Sequence, residues 1–374
     1  MNRKTFRKLF AVVILLFVAL FTVAMGSGTK DIEIGTILGL TGNYASFGQK
    51  MRQGFEFAVN EINSAGGIDG RRIHLIVEDH QFNPTKAISA YRKLIGSDKI
   101  RIIVGITGSS NALPVCEASR SDDVVIIDPL GSAPKLTTHG GPNYFRIMAS
   151  ETFAGRYIAN WAVEKGMKKP AIVYTEDEWG VSYKDTVLLY LKEKGFTGIP
   201  IYGSTKGMRD FRTQIEKIRR GNPDAILLLL YPQEGSVFMQ QLRQAGIHAL
   251  VYGTDNLSAP EFVSAGGEVV EGVHVAMPAP TKGPAYDAFV SKYSEKYKED
   301  PDASVMKSYD AMKLAVASIK KAGEEPSKIK GYLKSPGFEF KGITGPVKFD
   351  ANGDLISQEY ARLIYRAGKL VPAR

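Results

Sequence analysis

The chain has 374 residues, one cysteine, Cys116, and a formal net charge of +9. This length exceeds the ~250 to 300 residues that one hydrophobic core usually serves, so we expect two domains that fold without an internal disulfide. The Lys and Arg residues are scattered along the chain, which argues against a nucleic-acid-binding protein.

The first 28 residues have the order of a secretory signal peptide. Four basic residues precede an apolar run at 9–25, and removing them lowers the formal charge from +9 to a mild +5. We expect cleavage after Gly26 or Gly28 and export to the periplasm or the outer face of the membrane. Because the apolar run is long for a cleaved signal, an uncleaved anchor is the alternative. The absence of a cysteine near this junction argues against a lipid anchor.

Beyond the leader, strand-length hydrophobic runs alternate with helical patterns. Between the first two runs, for example, Phe55, Ala58 and Ile62 recur at helical spacing. This alternation is typical of a parallel sheet covered by helices on both faces. The elements predicted for the first half of the chain are a strand at 31–38, a helix at 49–63, a strand at 72–79, a helix at 84–95, a strand at 101–105, a helix at about 111–120 and a strand at 123–128.

The same alternation begins again after residue 150. The run 224–230 (DAILLLL) is hydrophobic throughout, as expected for a strand buried on both faces. The segments 345–349 and 359–367 are predicted as two strands joined through a turn at 351–354. The other elements predicted here are helices at 152–165, 182–194, 211–219, 235–245, 284–298 and 303–321, and strands at 170–174, 198–202, 249–253 and 272–277.

These patterns predict an α/β protein with two doubly wound, Rossmann-like parallel-sheet lobes. We assign residues 29–150 plus about 280–340 to the first lobe, and 151–279 plus about 341–374 to the second. Ligands of such sheets bind beyond the carboxyl ends of the strands. The predicted binding site is therefore the cleft between the two lobes.

The sequence carries few signs of catalysis. It contains no G-x-S-x-G, no H-E-x-x-H, no Walker G-x-x-x-x-G-K-[ST] and no G-x-G-x-x-G after the first strand. Its five histidines have no spacing typical of metal ligands. We therefore expect a protein that is not an enzyme and that has no metal or cofactor.

Small and hydroxyl residues follow two of the predicted strands. Ser109 and Ser110 belong to GITGSSNALP, and Leu130 and Ser132 belong to DPLGSAPKLT. Hydroxyls and free backbone amides at the start of a helix suit a carboxylate ligand. The alternative interpretation is an ordinary strand-to-helix connection, since Gly and Ser are common in turns and helix caps.

Acidic and aromatic residues follow other strands. Asp255, in GTDNLSAP, suits a cation, and Phe47, Trp179 and Tyr231 are aromatic residues in further loops. The carboxyl ends of the strands in both lobes face the cleft. We therefore expect these side chains to line one ligand site together with the hydroxyl cluster.

The sequence resembles the branched-chain amino-acid-binding proteins, the leucine/isoleucine/valine type of periplasmic substrate-binding protein that serves ABC importers. The resemblance covers essentially the whole chain beyond the leader and includes IIVGITGSSNALP, DPLGSAPKLT and the DEWG, YPQEG and GTDN loops. It implies the type I periplasmic binding fold, in which two lobes joined by three crossings close on a ligand. A motif specific to this family, G-x-x-x-A-x-x-x-I-N-x-x-G-G-I-x-G, is formed by Gly54, Ala58, Ile62, Asn63, Gly66, Gly67, Ile68 and Gly70.

The resemblance also implies roles for individual residues. Ser109, in the cluster that includes Ser110, would hold the ligand's α-carboxylate through its hydroxyl and the neighbouring amides. The Leu130 carbonyl would accept a hydrogen bond from the α-ammonium, and Ser132 would contact both groups. Asp255, where leucine binders carry Glu, would neutralise the ammonium. The aromatic residues Phe47, Trp179 and Tyr231 match family positions that line the cleft, and the match at Tyr231 is to within one residue.

Three departures from the family pattern bear on the ligand. Leucine-type proteins have a disulfide near the start of the cleft, where this chain has Phe82 and Gly108. Asp255 is one methylene shorter than Glu, and Trp179 enlarges the aromatic wall. We therefore expect an apolar or aromatic α-amino acid, and not leucine in particular.

The resemblance implies a monomeric, exported receptor that delivers its ligand to the membrane permease of an ABC importer. One alternative is a periplasmic sensor that passes its closed state to a separate signalling partner. Another is a receptor for a carboxylic acid without an amino group, such as an aromatic acid. Asp255 favours the amino acid, because an unpaired buried carboxylate is costly.

Overall fold

The computed structural model describes residues 30–279 and 281–373, so the predicted signal peptide lies outside the described residues. The strands of the first lobe are β1 (Ile32–Leu38), β2 (Ile73–Asp79), β3 (Ile102–Ile106), β4 (Val125–Asp128) and β5 (Tyr144–Arg146). They form one sheet in the order β2-β1-β3-β4-β5, and each neighbouring pair is parallel. Every position of β3 and β4 is buried, as expected for strands covered on both faces.

Helices connect these strands. They are α1 (Ala45–Ser64), α2 (Pro84–Gly96), α3 (Ser109–Ser119) and α4 (Lys135–Gly140). α3 begins two residues before the predicted start at 111, because Gly108, at φ 85°, turns the chain sharply after β3. This turn brings Ser109 to the first position of the helix, at the carboxyl edge of the sheet.

The chain then crosses to the second lobe. Its strands here are β6 (Pro170–Thr175), β7 (Ile201–Ser204), β8 (Ala225–Leu229), β9 (Leu250–Gly253) and β10 (His274–Pro278). The helices are α5 (Glu151–Glu164), α6 (Glu178–Glu193), α7 (Arg212–Gly221), α8 (Pro232–Gln244) and α9 (Pro260–Gly266). α6 begins four residues before the predicted start at 182, because the Asp177 carboxylate caps it by accepting a hydrogen bond from the Gly180 amide at 3.0 Å.

After β10 the chain returns to the first lobe. It forms α10 (Pro284–Tyr297), α11 (Ala303–Ala322) and α12 (Pro326–Leu333), followed by a hairpin of β11 (Phe340–Gly342) and β12 (Gly345–Val347). α11 packs along α1 at Gly54, where a Cβ atom would lie only 2.3 Å from the Val305 carbonyl oxygen. This close approach gives a packing reason for the first glycine of the family motif.

The pairing of the last strands differs from the sequence prediction. The predicted partners 345–349 and 359–367 do not form one hairpin, because β12 pairs with β11. Instead, β13 (Tyr360–Arg366) lies antiparallel between β10 and β14 (Lys369–Pro372). The second sheet therefore has the order β14-β13-β10-β9-β8-β6-β7.

The last crossing between the lobes falls between Leu355 and Tyr360, later than the predicted boundary at about 341. Leu355 is buried in the first-lobe core. Asp354 also forms an ion pair with Arg146, whose side chain is fully buried at the end of β5. Apolar burial and this ion pair therefore hold the segment before the crossing on the first lobe.

Each lobe has its own hydrophobic core around its sheet. The chain passes between the lobes after β5, after β10 and before β13, which are the three crossings that the resemblance implies. The predicted two-lobed α/β fold is confirmed. Within the described residues, no helix combines the length and hydrophobicity required to cross a bilayer.

Candidate ligand-binding site

A cleft of about 1130 Å³, including its mouth open to solvent, lies between the two lobes. Loops after β3 and β4 form its wall on the first lobe, and loops after β6, β8 and β9 form its wall on the second. It therefore lies at the carboxyl ends of the strands, as predicted. The residues predicted as ligand contacts that line it are Phe47, Ser109, Leu130, Ser132, Trp179, Tyr231 and Asp255.

Ser109 lies on the first-lobe wall at the N-terminus of α3, where free backbone amides attract an anion. Its side chain is buried, and its hydroxyl oxygen accepts hydrogen bonds from the amides of Ser132 and Ala133 at 3.4 and 3.3 Å. A hydroxyl that accepts from both amides still has its own hydrogen to donate. Ser109 can therefore donate a hydrogen bond to an anion in the cleft.

Ser110 does not line the cavity, although it was predicted as a ligand contact. Its hydroxyl crosses to the second lobe and donates a hydrogen bond to Asp177 at 2.9 Å. Asp177 also accepts a hydrogen bond from the Tyr231 hydroxyl at 3.0 Å, and the Lys206 ammonium lies 3.5 Å away. The geometry thus gives Ser110 a role in contact between the lobes.

Ser132 lies beside Ser109 on the first-lobe wall, and it is held by a residue that the sequence analysis did not select. Its hydroxyl donates a hydrogen bond to Glu151 at 2.7 Å. Glu151 is the first residue of α5, and it is fully buried. In the sequence it follows the helix cap Ser150 and resembles an ordinary first-turn acid, so no local signal marked it.

Asp255 follows β9 in a short 3₁₀ turn on the second-lobe wall. Burial raises the pKa of its carboxyl to about 6, although the positive charge of Lys307 opposes this shift. The Lys307 ammonium itself donates to the Ile147 carbonyl at 2.9 Å and to Gln358 at 3.0 Å, and burial lowers its pKa to about 8. Among the described residues, no cation forms an ion pair with Asp255.

Aromatic rings from both lobes form another part of the cavity wall. Trp179 stacks on Tyr231 with ring centroids 4.9 Å apart. Phe47 and Phe82 of the first lobe contact Tyr231 edge-on, at 6.3 and 5.9 Å. This wall can enclose an apolar or aromatic group.

Phe82 was noted in the sequence only as a departure from the family's disulfide. It lines the cavity, directly after β2, so the strand-end rule that selected Phe47 would also have found it. A Cβ atom on Gly108 would lie 2.8 Å from the Phe82 ring. The two positions that correspond to the disulfide are therefore in contact, and the aromatic ring fills the space between them.

The lobes also contact each other beside the aromatic wall. Tyr44 of the first lobe donates a hydrogen bond to Glu234 of the second, and both side chains are buried. The Gly207 amide donates to the same Glu234 oxygen at 2.6 Å, and the Gln233 amide group donates to the Asn43 carbonyl at 2.9 Å. Together with the bond between Ser110 and Asp177, these contacts describe a closed arrangement of the lobes.

Within 30–279 and 281–373, no cluster of His, Cys, Asp and Glu side chains could hold a metal ion. The thiol of Cys116 is buried, and burial raises its pKa well above the usual value. The polar groups that line the cleft include hydroxyls, backbone amides, carboxylates and the Lys50 ammonium, which pairs with Glu299 at 2.5 Å. Such groups recognise ligands by hydrogen bonds and charge.

Two doubly wound lobes that enclose a cleft, with an anion-binding helix start, an acidic residue and an aromatic wall, define a solute-binding receptor. A family model described as periplasmic binding protein matches residues 31–364. The chain belongs to this family, so the resemblance found in the sequence is confirmed, and the family's members are solute-binding proteins.

Relatives and solved structures agree with this assignment. The chain is 30% identical to the Leu/Ile/Val-binding protein BraC3 of Rhizobium johnstonii, over 92% of this chain and 94% of the relative. It is 25% identical to the substrate-binding protein LivJ of Streptococcus pneumoniae, solved in complex with isoleucine, with a TM-score of 0.81 and coverage of 91% and 97%. A solute-binding protein of R. palustris in complex with benzoate, 22% identical, has the same fold, with a TM-score of 0.82 and coverage of 91% and 95%.

Proposed function

We propose that the protein is an exported receptor that captures an apolar or aromatic α-amino acid by lobe closure and delivers it to the permease of an ABC importer. The observation that carries this proposal is that one wall of the cleft favours an anion and the other wall favours a cation. Ser109 at the start of α3 attracts an anion, whereas Asp255 on the other lobe has no cation partner among the described residues. A zwitterionic amino acid satisfies both.

The free energy of binding favours a ligand with an amino group over a carboxylic acid without one. Placing an ionised carboxylate in a closed cleft without a partner costs several kcal/mol, whereas a ligand ammonium would offset this cost. Charge-assisted hydrogen bonds contribute about 1.5 to 3 kcal/mol each. A few such bonds to the carboxylate and the ammonium are enough to hold the head group and to select for it.

The aromatic wall supports an apolar or aromatic side chain on the ligand. The rings of Phe47, Phe82, Trp179 and Tyr231 enclose this part of the cavity. The names of the compared relatives also indicate ligands of this kind. We further propose that the protein acts as a periplasmic monomer, performs no catalysis, and uses no metal or cofactor.

A receptor for an aromatic acid without an amino group is the second candidate. The aromatic wall favours it, and the benzoate-binding protein of R. palustris shares the fold. At 22% identity, however, that likeness extends to the fold alone. Asp255 distinguishes the two candidates, because it has no partner in a complex with a plain acid.

A thermal-shift screen of the purified exported protein tests this proposal. The panel contains the twenty common L-amino acids, their amides, aromatic acids and dipeptides. A ligand present at 100 times its dissociation constant adds about 2.7 kcal/mol to the free energy of unfolding, which shifts the melting temperature by a few degrees. We expect stabilisation by apolar or aromatic L-amino acids. Stabilisation by aromatic acids alone would establish the second candidate instead.

A further inference from the structure

Glu151 is a fully buried carboxylate that lies directly behind the head-group end of the cleft. One of its oxygens accepts a hydrogen bond from the hydroxyl of Ser132, a cavity residue of the first lobe. The other accepts from the hydroxyl of Ser182 on α6 of the second lobe. Glu151 thus connects the cavity wall of one lobe to a helix of the other, at the first crossing.

No cation among the described residues forms an ion pair with Glu151. Arg146 lies near enough to favour its ionised form, but that guanidinium already pairs with Asp354, and the negative charge of Asp177 opposes it. Burial raises the pKa of the hydroxyls of the cavity residues Tyr183 and Tyr360, and the charges of Glu151 and Asp255 both raise it further. The two carboxylates therefore lie around the same end of the cleft.

The hydrogen bond to Glu151 decides how Ser132 can meet a ligand. A serine hydroxyl has one hydrogen to donate and two lone pairs to accept with. Its hydrogen is directed to Glu151, so the lone pairs are what remain for the cavity. An ammonium group only donates hydrogen bonds, and therefore fits this orientation, whereas a carboxylate does not.

We propose that Glu151 is a positioning residue that makes the cleft specific for ligands with an amino group, by orienting the Ser132 hydroxyl as an acceptor and by adding a second negative charge beside Asp255. The inference deepens the proposed function and rests on it. It adds a residue that does not touch the ligand, and it gives Ser132 a defined role as an acceptor for the ammonium.

Ionisation of Glu151 follows from the same geometry. Burial raises the pKa of its carboxyl to about 8, so in the empty cleft it is mostly protonated at pH 7. The hydrogen of the protonated form fits on the oxygen beside Ser182, whose own hydroxyl can then donate to the Glu178 carbonyl at 2.8 Å, so Ser132 still donates to the other oxygen. A ligand ammonium favours the ionised form, so binding lowers this pKa and releases a proton. Affinity for an amino acid should then rise as the pH increases from about 6.5 to 8. The pKa of the Asp255 carboxyl is lower, at about 6, and burial lowers the pKa of the Lys307 ammonium, whose charge acts on Asp255, to about 8.

Isothermal titration calorimetry at pH 8 on the purified exported protein tests the proposal. The probes are L-leucine and L-phenylalanine, each beside the acid that lacks only the amino group, 4-methylpentanoate and 3-phenylpropanoate. For Glu151→Gln we expect at least a tenfold loss of affinity for the amino acid that binds, and less than a twofold change for the matching acid. The control Ser182→Ala removes the other hydrogen bond of Glu151 but keeps its charge, and should leave the ratio of the two affinities unchanged.

Measuring the protons released on binding tests the proposal even if Glu151→Gln does not fold. In the unmodified protein at pH 7.5, binding of the amino acid should release more than about half a proton, measured in two buffers of different ionisation enthalpy. The release should persist in Lys307→Met, which removes another group whose pKa lies close to this pH. The absence of release, or an equal loss of affinity for both probes in Glu151→Gln, would overturn the role of Glu151 and leave the proposed function intact. If the unmodified protein binds the acids and neither amino acid, both proposals are wrong.

Discussion

At the scale of single residues, the head-group end of the cleft has a few buried or half-buried polar side chains with different chemical properties. Ser109 offers a hydrogen-bond donor, Ser132 offers an acceptor, and Asp255 offers charge. Ser110, the next residue after Ser109, faces Asp177 of the other lobe instead. We therefore expect recognition of the head group to depend on the orientation of individual side chains.

Replacing Asp255 by Asn should separate amino acids from plain acids. We expect the binding free energy of the cognate amino acid to become less favourable by about 2 to 5 kcal/mol, because the ligand ammonium loses its charged partner. Affinity for the acid without the amino group should stay the same or increase. Calorimetric dissociation constants for both probes measure this difference.

The control is Glu261→Gln, which removes a different carboxylate of the cavity wall and should change both affinities little. In the unmodified protein, affinity for the amino acid should also decrease as the pH falls through about 6, because Asp255 then becomes protonated. If Asp255→Asn binds the amino acid as tightly as the unmodified protein does, Asp255 is not the partner of the ammonium.

At the scale of elements, the N-termini of α3 and α6 meet across the cleft. Ser110 at the start of α3 donates to Asp177, and the same carboxylate caps α6 by accepting from the Gly180 amide. The start of a helix in one lobe is thereby attached to the start of a helix in the other. Contacts of this kind exist only when the lobes are closed, so they bias the hinge toward closure.

We expect Ser110→Ala to weaken binding by affecting closure instead of ligand contact. The dissociation constant should rise at least about tenfold, because a hydrogen bond to a charged group, which contributes about 1.5 to 3 kcal/mol, is lost. The rise should be equal for an amino acid and for its analogue without the amino group. Small-angle X-ray scattering should show a larger radius of gyration for the empty variant than for the unmodified protein.

Ser109→Ala, one residue away, is the matched comparison. It removes the donor that faces the cavity, and we expect it to reduce the affinity of every carboxylate ligand at least tenfold while leaving the empty protein's radius of gyration unchanged. If Ser110→Ala instead reproduced the behaviour of Ser109→Ala, then Ser110 would be a ligand contact, as the sequence alone predicted.

At the scale of the whole molecule, each lobe is assembled from segments that are distant in sequence. The first lobe takes back α10, α11, α12 and the β11–β12 hairpin before the chain crosses for the last time. The ion pair of Arg146 with Asp354 connects the end of β5 to this returning segment. The late segment thereby becomes part of the lobe that carries Ser109.

Asp354→Ala should destabilise the first lobe. It leaves the fully buried Arg146 guanidinium without its partner, so we expect the free energy of unfolding to fall by about 3 kcal/mol. Urea unfolding followed by circular dichroism measures this change. Glu339→Ala, which breaks an exposed ion pair with Lys348 in the same segment, should cost less than about 1 kcal/mol. Equal stability of the two variants would show that the buried pair contributes no more than the exposed one.

Most of the fold and much of the site could be predicted from local patterns. Alternating hydrophobic runs and helical spacing define parallel sheets, and parallel strands direct all their carboxyl ends to one edge. For this reason Ser109, Ser132 and Asp255, selected as polar residues that follow strands, line one cleft together with Leu130, which the resemblance indicated. Their placement follows from strand direction, which short stretches of sequence encode.

Some features of the site and the fold depend on contacts between segments that are distant in sequence, and only the tertiary structure decided them. Ser109 and Ser110 are adjacent and chemically alike, yet one faces the cavity and the other the second lobe, because successive residues of a helix point in different directions. Glu151 matters because it is buried beside Ser132, which no local pattern indicates. The last crossing falls after Leu355 because apolar side chains there find the first-lobe core. The sequence by itself determined the class of fold and the sheet edge that borders the cleft, whereas packing between the lobes decided which side chains face that cleft.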